Sequence, residues 1–376
     1  MRSVPVAGWS IVFLLVLFSC SSPPPAYENL VLIVVDTLRS DHLSSYGYPR
    51  RTSPFLDQLA SEGIQLQGHS VSSWTKPSIA TLLTGLYPQR HQAIGRRDVL
   101  AADLPYLPEI FEGSGRTTAA FVSNLNAGRK WGFGRGFTEY RQTRPVGKLD
   151  GSEINRRIMP LLDTVERPFA LYLHYVDPHD PYRPDALRFG EPSAEFVQPR
   201  RVDATDEDAV AGLINQYDSE ILELDGHLRE LFEELSRREL LGDTLVVVTA
   251  DHGEEFGEHG RLTHGHGLYE EVLRVPCVLW ATKGLIAWKS SQPFHQVDFL
   301  PTILDALGVT IPEGLDGSSR WRELVERGEL PTRLEGFRLD VDEVAALGLI
   351  DGQRKYIHRL RQPHDLLFLL DLDPGE

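Results

Sequence analysis

Cysteine is scarce in this 376-residue chain, which contains only Cys20 and Cys277. Cys20 ends an apolar segment near the N-terminus, whereas Cys277 lies within Arg-Val-Pro-Cys-Val-Leu-Trp, a run typical of a buried strand. These different settings argue against a disulfide between the two. We expect Cys277 to be a small hydrophobic residue of the core.

Positive charge is also in deficit. The chain has 38 Lys and Arg residues against 54 Asp and Glu residues, which gives a formal net charge of −16. A protein with this balance repels nucleic acid and anionic membrane surfaces, so nucleic acid is not an expected partner. An anionic substrate would need a local cationic site, such as a metal ion.

The apolar stretch near the N-terminus, from Val4 to Phe18, is shorter than the roughly 20 residues that a membrane-spanning helix needs. Arg2 precedes it, and Leu17-Phe18-Ser19-Cys20 closes it, which are features of a signal peptide. This ending resembles a bacterial lipobox, in which the cysteine becomes the lipidated first residue of the mature chain.

The N-terminal pattern therefore predicts a lipoprotein signal peptide over residues 1–20. Residues 21–28 are rich in proline at their start and are expected to form a stiff, extended tether. The prediction is a bacterial lipoprotein attached to a membrane through Cys20, in the periplasm or at the cell surface. An uncleaved membrane anchor is the alternative, and both place the folded part outside the cytoplasm.

Strands alternate with helices over residues 29–332. The apolar runs 30–35 and 244–249 are typical of parallel strands buried on both faces. Between them, residues 206–235 repeat leucine and isoleucine with the spacing of an amphipathic helix. This alternation predicts an α/β/α sandwich with a mostly parallel central sheet.

The C-terminal region, residues 333–376, has a different pattern. Residues 345–350 and 354–360 are strand-like and flank Asp351-Gly352, which is typical of a tight hairpin turn. Residues 368–372 could add a third strand. We predict a small antiparallel β subdomain packed on the larger α/β domain.

Two predicted strands end in acidic residues. Asp36 follows the first buried strand, and Asp251-His252-Gly253 follows the strand at 244–249. Ligands of parallel sheets bind at the carboxyl ends of the strands, and carboxylate and imidazole groups together suit a borderline divalent metal. A helix cap for Asp36 and a capped turn with a buried histidine at His252 are the structural alternatives.

Thr75 precedes a predicted helix over residues 77–83, whose first turn contains Pro77. The N-terminus of a helix offers free N–H groups and a positive dipole end to an anion. A hydroxyl there could be deprotonated by a metal and attack a phosphorus or sulfur centre. A simple N-cap is the alternative for Thr75 taken alone.

Several separated motifs occur in an order that resembles the sulfatase family of the alkaline phosphatase superfamily. They are Asn-Leu-Val-Leu-Ile-Val-Val-Asp at 29–36, Ser-Pro-Phe-Leu-Asp-Gln-Leu-Ala-Ser-Glu-Gly at 53–63, Asp-His-Gly at 251–253 and Asp-Phe-Leu-Pro-Thr-Ile-Leu at 298–304. The resemblance runs from about residue 29 to the end of the chain. It implies a hydrolase with an α/β fold that depends on a divalent metal.

The chain departs from the sulfatase pattern at the nucleophile. Sulfatases carry Cys-x-Pro-Ser-Arg, in which the cysteine becomes formylglycine, but this chain has Thr75-Lys-Pro-Ser-Ile79. The paired Asp-Asp after the first strand is Asp36-Thr37 here. The resemblance therefore implies a threonine nucleophile, and it favours phosphate esters over sulfate esters.

The resemblance also implies roles for particular residues. One divalent cation (Mn, Zn, Ca or Mg) would be held by Asp36, Thr75, Asp251 and His252. The catalytic residues would be the nucleophile Thr75 and His179, which would contact the substrate anion or protonate the leaving oxygen. The candidate substrate-binding residues are His264, His266, Arg39 and His174. For His174 a packing role, and for Arg39 a structural ion pair, are the alternatives.

The sequence thus predicts a metal-dependent hydrolase that cleaves a small anionic ester, phosphate before sulfate, through a threonine. Two other functions stay open. One is a phospho-group transferase that acts on a lipid or glycan hydroxyl. The other is a binding protein that keeps the fold without catalysis.

Overall fold

The computed structural model describes residues 27–142, 151–191, 196–326, 328, 330, 334–341, 344–373 and 375–376. The predicted signal peptide and residues 21–26 of the predicted tether lie outside these ranges. Tyr27 is buried, with its ring edge-on against Trp321 and its hydroxyl donating to the Lys283 carbonyl. The chain is therefore packed on the folded domain from its first described residue.

The strands of the described residues form three sheets. In chain order they are β1 (Asn29–Val35), β2 (Ile64–His69), β3 (Thr117–Val122), β4 (Glu139–Gln142), β5 (Phe169–Tyr175), β6 (Thr244–Ala250), β7 (Glu255–Phe256), β8 (Leu262–Thr263), β9 (Arg274–Trp280), β10 (Trp288–His295), β11 (Glu335–Val341), β12 (Val344–Asp351), β13 (Arg354–Arg359) and β14 (Leu366–Leu369).

The α-helices of the same residues connect these strands. They are α1 (Pro54–Glu62), α2 (Thr75–Thr84), α3 (Pro88–His91), α4 (Leu107–Gly113), α5 (Gly151–Leu162), α6 (Glu207–Arg237), α7 (Glu270–Leu273), α8 (Phe299–Ala306) and α9 (Trp321–Glu326). Within the described ranges, no helix has both the length and the apolar character needed to cross a membrane.

The large sheet has eight strands in the order β10-β2-β9-β6-β1-β5-β3-β4. Strand β9 runs antiparallel to both of its neighbours, and the other paired strands are parallel. Helices α5 and α6 pack on one face, and α2 and α8 pack on the other. The predicted α/β/α sandwich with a mostly parallel central sheet is confirmed.

Strand β1 shows why this sheet is the centre of the fold. Its residues alternate between the two faces, so that Leu32 and Val34 join one hydrophobic core while Ile33 and Val35 join the other. Each such side chain contributes roughly 1.5–3 kcal/mol when it is fully buried. A run without polar residues is therefore stable only as a central strand covered on both sides.

The C-terminal strands β11 to β14 form a separate antiparallel sheet in sequence order. Gly352 has a φ of 59° in the turn between β12 and β13, a left-handed conformation that glycine adopts without strain. Phe337, Leu339 and Ile357 pack against Leu268 of the larger domain. The predicted small antiparallel sheet is confirmed, although its last strand lies at 366–369 rather than 368–372.

Candidate active site

Asp36, Asp251 and His252 meet at the carboxyl edge of the large sheet. Strand β1 lies beside β6 with Val35 opposite Ala250, so the residues that follow these two strands become neighbours. The His252 Nε2 atom is 3.4 Å from Asp251 Oδ2 and 3.8 Å from Asp36 Oδ1. One ligand atom from each of the three side chains falls within 4.8 Å of the others.

The unpaired atoms of this cluster fit a divalent cation. Asp251 Oδ1 accepts hydrogen bonds from the backbone N–H groups of Thr37 and His252. In contrast, Asp251 Oδ2 and Asp36 Oδ1 are buried and have no hydrogen-bond partner among the described residues. Buried carboxylate oxygens without partners are costly, and a bound cation would satisfy both of them.

The two carboxylates also perturb each other. Burial raises the pKa of Asp251 well above its usual value, and the neighbouring charge of Asp36 adds to that rise. Burial would likewise raise the pKa of Asp36, but three surrounding imidazoles and a hydrogen bond from Asn124 lower it. Two like charges in a dry site favour a cation between them.

His252 is held with one nitrogen available for a ligand. Its Nδ1 donates a hydrogen bond to the Gly253 carbonyl at 2.8 Å, so Nε2 carries the lone pair. Burial, together with the nearby His264, lowers the pKa of His252 to about 3. A neutral imidazole with a fixed tautomer is the form that binds a metal.

Thr75 is the first residue of α2, and its hydroxyl lies beside this cluster. Thr75 Oγ1 is 3.5 Å from His252 Nε2, and it accepts a hydrogen bond from Asn124 Nδ2 at 3.2 Å. The same amide donates to Asp36 Oδ2. The helix begins two residues earlier than the sequence predicted, and Trp74 occupies the N-cap position. The Thr75 hydroxyl is therefore at the site rather than used as an N-cap.

His264 and His179 form the other side of the site. The two rings lie 4.9 Å apart, and the His264 ring lies 4.6 Å from that of His252. Burial alone would lower the pKa of His264, but the carboxylate of Glu254, 2.7 Å from Nδ1, raises it to about 9. The His179 Nδ1 donates to the Asp180 carbonyl, which leaves Nε2 available.

Two further predicted substrate-binding residues, His266 and His174, occupy different positions from His264. His266 is on the exposed cleft wall, where its Nε2 is 3.3 Å from Thr263 Oγ1, so the structure separates it from His264. His174 is fully buried behind Asp36, with 3.9 Å between its Nε2 and Asp36 Oδ2. This position favours the packing alternative for His174.

Arg39 does not line the cleft. Its guanidinium is buried and forms ion pairs with Asp41 at 2.7 Å and Glu258 at 2.5 Å, and it also donates to the Glu254 carbonyl. These contacts use the planar donors that a phosphate would need. The arrangement favours the structural ion pair over the predicted substrate contact.

Sequence reasoning missed two residues of the site, Asn124 and Glu254. Asn124 closely follows the end of β3, which lies beside β5 in the sheet. Its position after a strand was the sequence signal that could have indicated a place in the site. Glu254 is fully buried, and its two oxygens contact His264 and the Tyr182 hydroxyl. Its place directly after Asp251-His252-Gly253 was the only sequence signal for a role in the site.

A cleft of about 950 Å³ opens beside the two histidines His179 and His264. It runs between the 259–269 loop and the C-terminal strands β12 and β13. Trp74, which precedes Thr75, forms part of its wall. His179, His264 and the residue that precedes Thr75 thus border a space large enough for a small organic ester.

Comparison with known proteins identifies the family of the chain. The sulfatase family model matches residues 28–309, and the chain therefore belongs to the sulfatase family. It is an enzyme of the class that contains ester hydrolases and related transferases.

Two relatives cover most of the chain. One is the low-salt glycan biosynthesis sulfotransferase Agl7 of Haloferax volcanii, 27% identical over 89% of this chain and 75% of that protein. The other is the multifunctional alkaline phosphatase superfamily protein PehA of Trinickia caryophylli, 25% identical over 93% of this chain and 90% of that protein.

Two solved structures share the fold. The phosphonate monoester hydrolase of Agrobacterium radiobacter superposes with a TM-score of 0.76 at 19% identity, over 93% of this chain and 90% of that one. BT4656, solved with D-glucosamine-2-N,6-O-disulfate, gives a TM-score of 0.78 at 18% identity, over 93% and 92% of the two chains.

Proposed function

We propose that this enzyme cleaves phosphate esters through Thr75, with one divalent cation held by Asp36, Thr75, Asp251 and His252. The observation that carries the proposal is the position of the Thr75 hydroxyl. It lies at the N-terminus of α2, 3.5 Å from His252 Nε2, beside two buried carboxylate oxygens that have no other partner among the described residues. A candidate nucleophile and candidate metal ligands thus lie together, which supports the proposal.

Threonine chemistry favours phosphate over sulfate. Formylglycine hydrate lets a sulfated intermediate collapse by elimination, without attack of water on sulfur, and a threonine side chain has no second hydroxyl for that step. A phosphothreonine can instead be hydrolysed by water at phosphorus. The same nucleophile acting on a phosphate ester therefore completes a turnover without any modification of the chain.

The residues divide the reaction between them. Thr75 Oγ1, after losing its proton to solvent, attacks phosphorus while the bond to the leaving oxygen breaks, and protonated His179 supplies a proton from Nε2 to that oxygen. Asn124 Nδ2 holds Oγ1 in place, and the N-terminus of α2 together with His264 faces the phosphoryl oxygens. Water then attacks the phosphothreonine, with His179 accepting its proton. A bound cation would lower the pKa of the Thr75 hydroxyl and neutralise charge on the ester.

Group transfer is the second candidate function. The observation that favours it is the 27% identity over 349 residues to Agl7, whose name describes a sulfotransferase of glycan biosynthesis. A cleft of about 950 Å³ also leaves room for an acceptor hydroxyl in place of water. In that case the phosphothreonine would be attacked by the acceptor rather than by water.

A substrate panel tests the proposal. p-Nitrophenyl phosphate, bis-p-nitrophenyl phosphate and p-nitrophenyl sulfate are offered with Mn, Zn, Ca or Mg and after removal of metal with a chelator. We expect metal-dependent turnover of a phosphate ester that exceeds sulfate turnover. Faster sulfate turnover would contradict the preference for phosphate. Turnover only in the presence of an added alcohol would indicate transfer, and silence on all three esters would favour a binding role.

We also propose that the enzyme is a lipoprotein anchored at Cys20 outside the cytoplasm. The support is the sequence pattern of residues 1–20 and the following 21–28 segment. Expression in a bacterial host, followed by membrane fractionation and mass spectrometry of the N-terminal peptide, tests it. We expect a diacylglyceryl group on Cys20. We also expect the Cys20→Ala variant to be lost from the membrane fraction. An unmodified Cys20 would contradict the anchor.

A further inference from the structure

The charge of the cleft beside the active site differs from that of the chain as a whole. Acidic residues outnumber Lys and Arg by 54 to 38 in the sequence. The described residues that line the cleft, however, include four arginines and four histidines and no aspartate or glutamate. The four arginines are Arg96, Arg261, Arg359 and Arg361.

These arginines come from distant parts of the chain. Arg96 lies over the ring of Trp74, with 5.7 Å between its guanidinium carbon and the ring centroid. Arg261 belongs to the loop that also carries His264, and Arg359 ends strand β13 of the C-terminal sheet. Four arginines from three segments of an acidic protein thus meet at one cleft, a concentration that composition alone does not explain, and Arg361 among them pairs with Asp340 at 3.5 Å.

The cleft also exceeds the needs of the ester group. The metal-ligand cluster, Thr75 and Asn124 already account for the reacting phosphate, and none of them is needed to line the cleft, which His179, His264 and Trp74 border. The remaining wall combines Trp74, Leu268 and Ile357 with the arginines. Apolar and aromatic surface suits the carbon skeleton of a substrate, whereas guanidinium groups suit an anionic substituent on it.

We propose that this arginine-lined part of the cleft binds a second anionic group of the substrate, separate from the ester that is cleaved. The chemistry it recognises is a carboxylate or a phosphate on the leaving-group side, as in an anionic sugar phosphate. Arg261 and Arg359 are the principal contacts, because both line the cleft, Arg261 from the loop that carries His264 and Arg359 from the end of β13. This inference rests on the proposed phosphoester hydrolysis and names its substrate class.

Matched sugar phosphates test the proposal. Glucose 1-phosphate, glucuronic acid 1-phosphate and glucose 1,6-bisphosphate carry the same C1 ester but a hydroxyl, a carboxylate or a phosphate at C6. We expect kcat/KM to be about tenfold higher for at least one of the two probes with the additional anionic group, since a charge-assisted contact with the half-buried Arg359 is worth roughly 1.4 kcal/mol. The two probes show whether carboxylate or phosphate is the preferred group.

Two variants assign the preference to the cleft. Arg359→Gln and Arg261→Gln should each bring the ratio of kcat/KM between the anionic probe and glucose 1-phosphate closer to one. Arg359 Nε donates to the His364 carbonyl, a contact that Arg359→Gln removes. The exposed Arg261 side chain forms no hydrogen bond or ion pair with another described residue, so Arg261→Gln tests the proposal even if Arg359→Gln fails to fold. Arg156→Gln, an exposed arginine of α5 paired with Glu153, is the control with the same change of net charge.

The outcomes separate this inference from the proposed function. If glucose 1-phosphate is hydrolysed but the anionic probes show no advantage, or the advantage survives in both variants, the inference is wrong and the hydrolase stands. If no phosphate ester is hydrolysed, the proposed function fails. Calorimetric titration of the Thr75→Ala protein with the same three probes then decides the inference: equal affinity for all three overturns it, and tighter binding that needs Arg261 or Arg359 supports it.

Discussion

Asn124 Nδ2 donates a hydrogen bond to the Thr75 hydroxyl oxygen over 3.2 Å, and it also donates to Asp36. One buried amide, 49 residues after Thr75 in sequence, thus connects the candidate nucleophile to a candidate metal ligand. The contact orients Oγ1 and would strengthen as negative charge develops there. Asn124 is therefore a positioning residue for the proposed reaction.

Asn124→Ala should lower kcat far more than it changes KM. Loss of a preorganised donor to a charged oxygen costs roughly 2.7–4 kcal/mol, or about 10²–10³-fold in kcat. Steady-state kinetics with p-nitrophenyl phosphate measure both constants. Asn126→Ala is the control, because Asn126 borders the same cleft but meets Asn124 only through its backbone N–H. A rise in KM with unchanged kcat would contradict the positioning role.

His179→Gln should affect substrates according to their leaving groups. A p-nitrophenolate leaves without protonation, whereas an alkyl alkoxide needs a proton, so the variant should lose much more activity on an alkyl phosphate. General acid catalysis typically contributes 10²–10⁴-fold. The comparison of p-nitrophenyl phosphate with glycerol phosphate in one variant provides its own control. An equal loss on both substrates would assign His179 to binding instead.

Asp251→Asn should abolish the stabilisation that a divalent cation gives. The cation would satisfy two buried carboxylate oxygens, and at 100-fold excess over Kd it adds about 2.7 kcal/mol to the free energy of unfolding. Without metal, the same variant should lose little stability, because it removes one of two adjacent buried charges. Thermal unfolding with chelator and with Mn or Zn measures both effects.

Asp225→Asn is the control for that experiment. Asp225 is also buried, but it accepts hydrogen bonds from the backbone N–H groups of Phe55 and Leu56, away from the site. Its replacement should lower the unfolding temperature and leave the response to metal intact. A metal response that survives in Asp251→Asn would remove Asp251 from the ligand set.

The contact between His69 and Glu335 should make stability depend on pH. The pair joins the end of β2 to the start of β11 at 2.6 Å and is nearly inaccessible to solvent. Burial alone would lower the pKa of His69, but Glu335 and Glu270 raise it to about 9 from 6.5. Burial alone would raise the pKa of Glu335, but His69 and His295 lower it to about 2 from 4.5.

The sign of each shift defines the pH window. The histidine contribution is complete below pH 6.5 and is lost as pH rises through about 9, whereas the glutamate contribution is complete above pH 4.5 and is lost as pH falls towards 2. Urea unfolding should show that wild type loses on the order of 1–3 kcal/mol between pH 6 and pH 10 through this pair. His69→Gln should flatten that part of the profile.

His358→Gln is the control for the pH experiment. His358 pairs with Asp365 in the same C-terminal sheet, but its side chain is 45% exposed. Exposed ion pairs contribute little to stability, so this variant should keep the pH profile of wild type. An unchanged profile in His69→Gln would show that the buried pair does not control the dependence.

Much of the site could be predicted from sequence because parallel strands bring their carboxyl ends to one edge. That rule placed Asp36 beside Asp251 although 215 residues separate them in the chain. The same rule does not predict where the side chains of loops lie. The loop after β8 holds both His264 and His266, and only the buried Glu254 directs the first of them into the site. Spacing alone could not distinguish the two.

Asn124 and Arg39 also show why the sequence alone could not assign every residue of the site. An asparagine after a strand is usually a turn residue, and only the order of the sheet brings Asn124 to Thr75. Arg39 is close to Asp36 in sequence, but Asp41 and Glu258 compete for its guanidinium. The partners of a side chain in folded loops decide its role, and those partners are distant in sequence.

Comparison of Thr75→Ala with Thr75→Ser tests the central claim most directly. The measurement is kcat/KM for a phosphate ester in the presence of the preferred metal, with folding checked by thermal unfolding. The account predicts a loss of roughly 10³-fold or more in Thr75→Ala and retention of substantial turnover in Thr75→Ser, which keeps a hydroxyl at the same position. Phosphate ester turnover in Thr75→Ala at a rate close to that of the wild type would contradict Thr75 as the nucleophile.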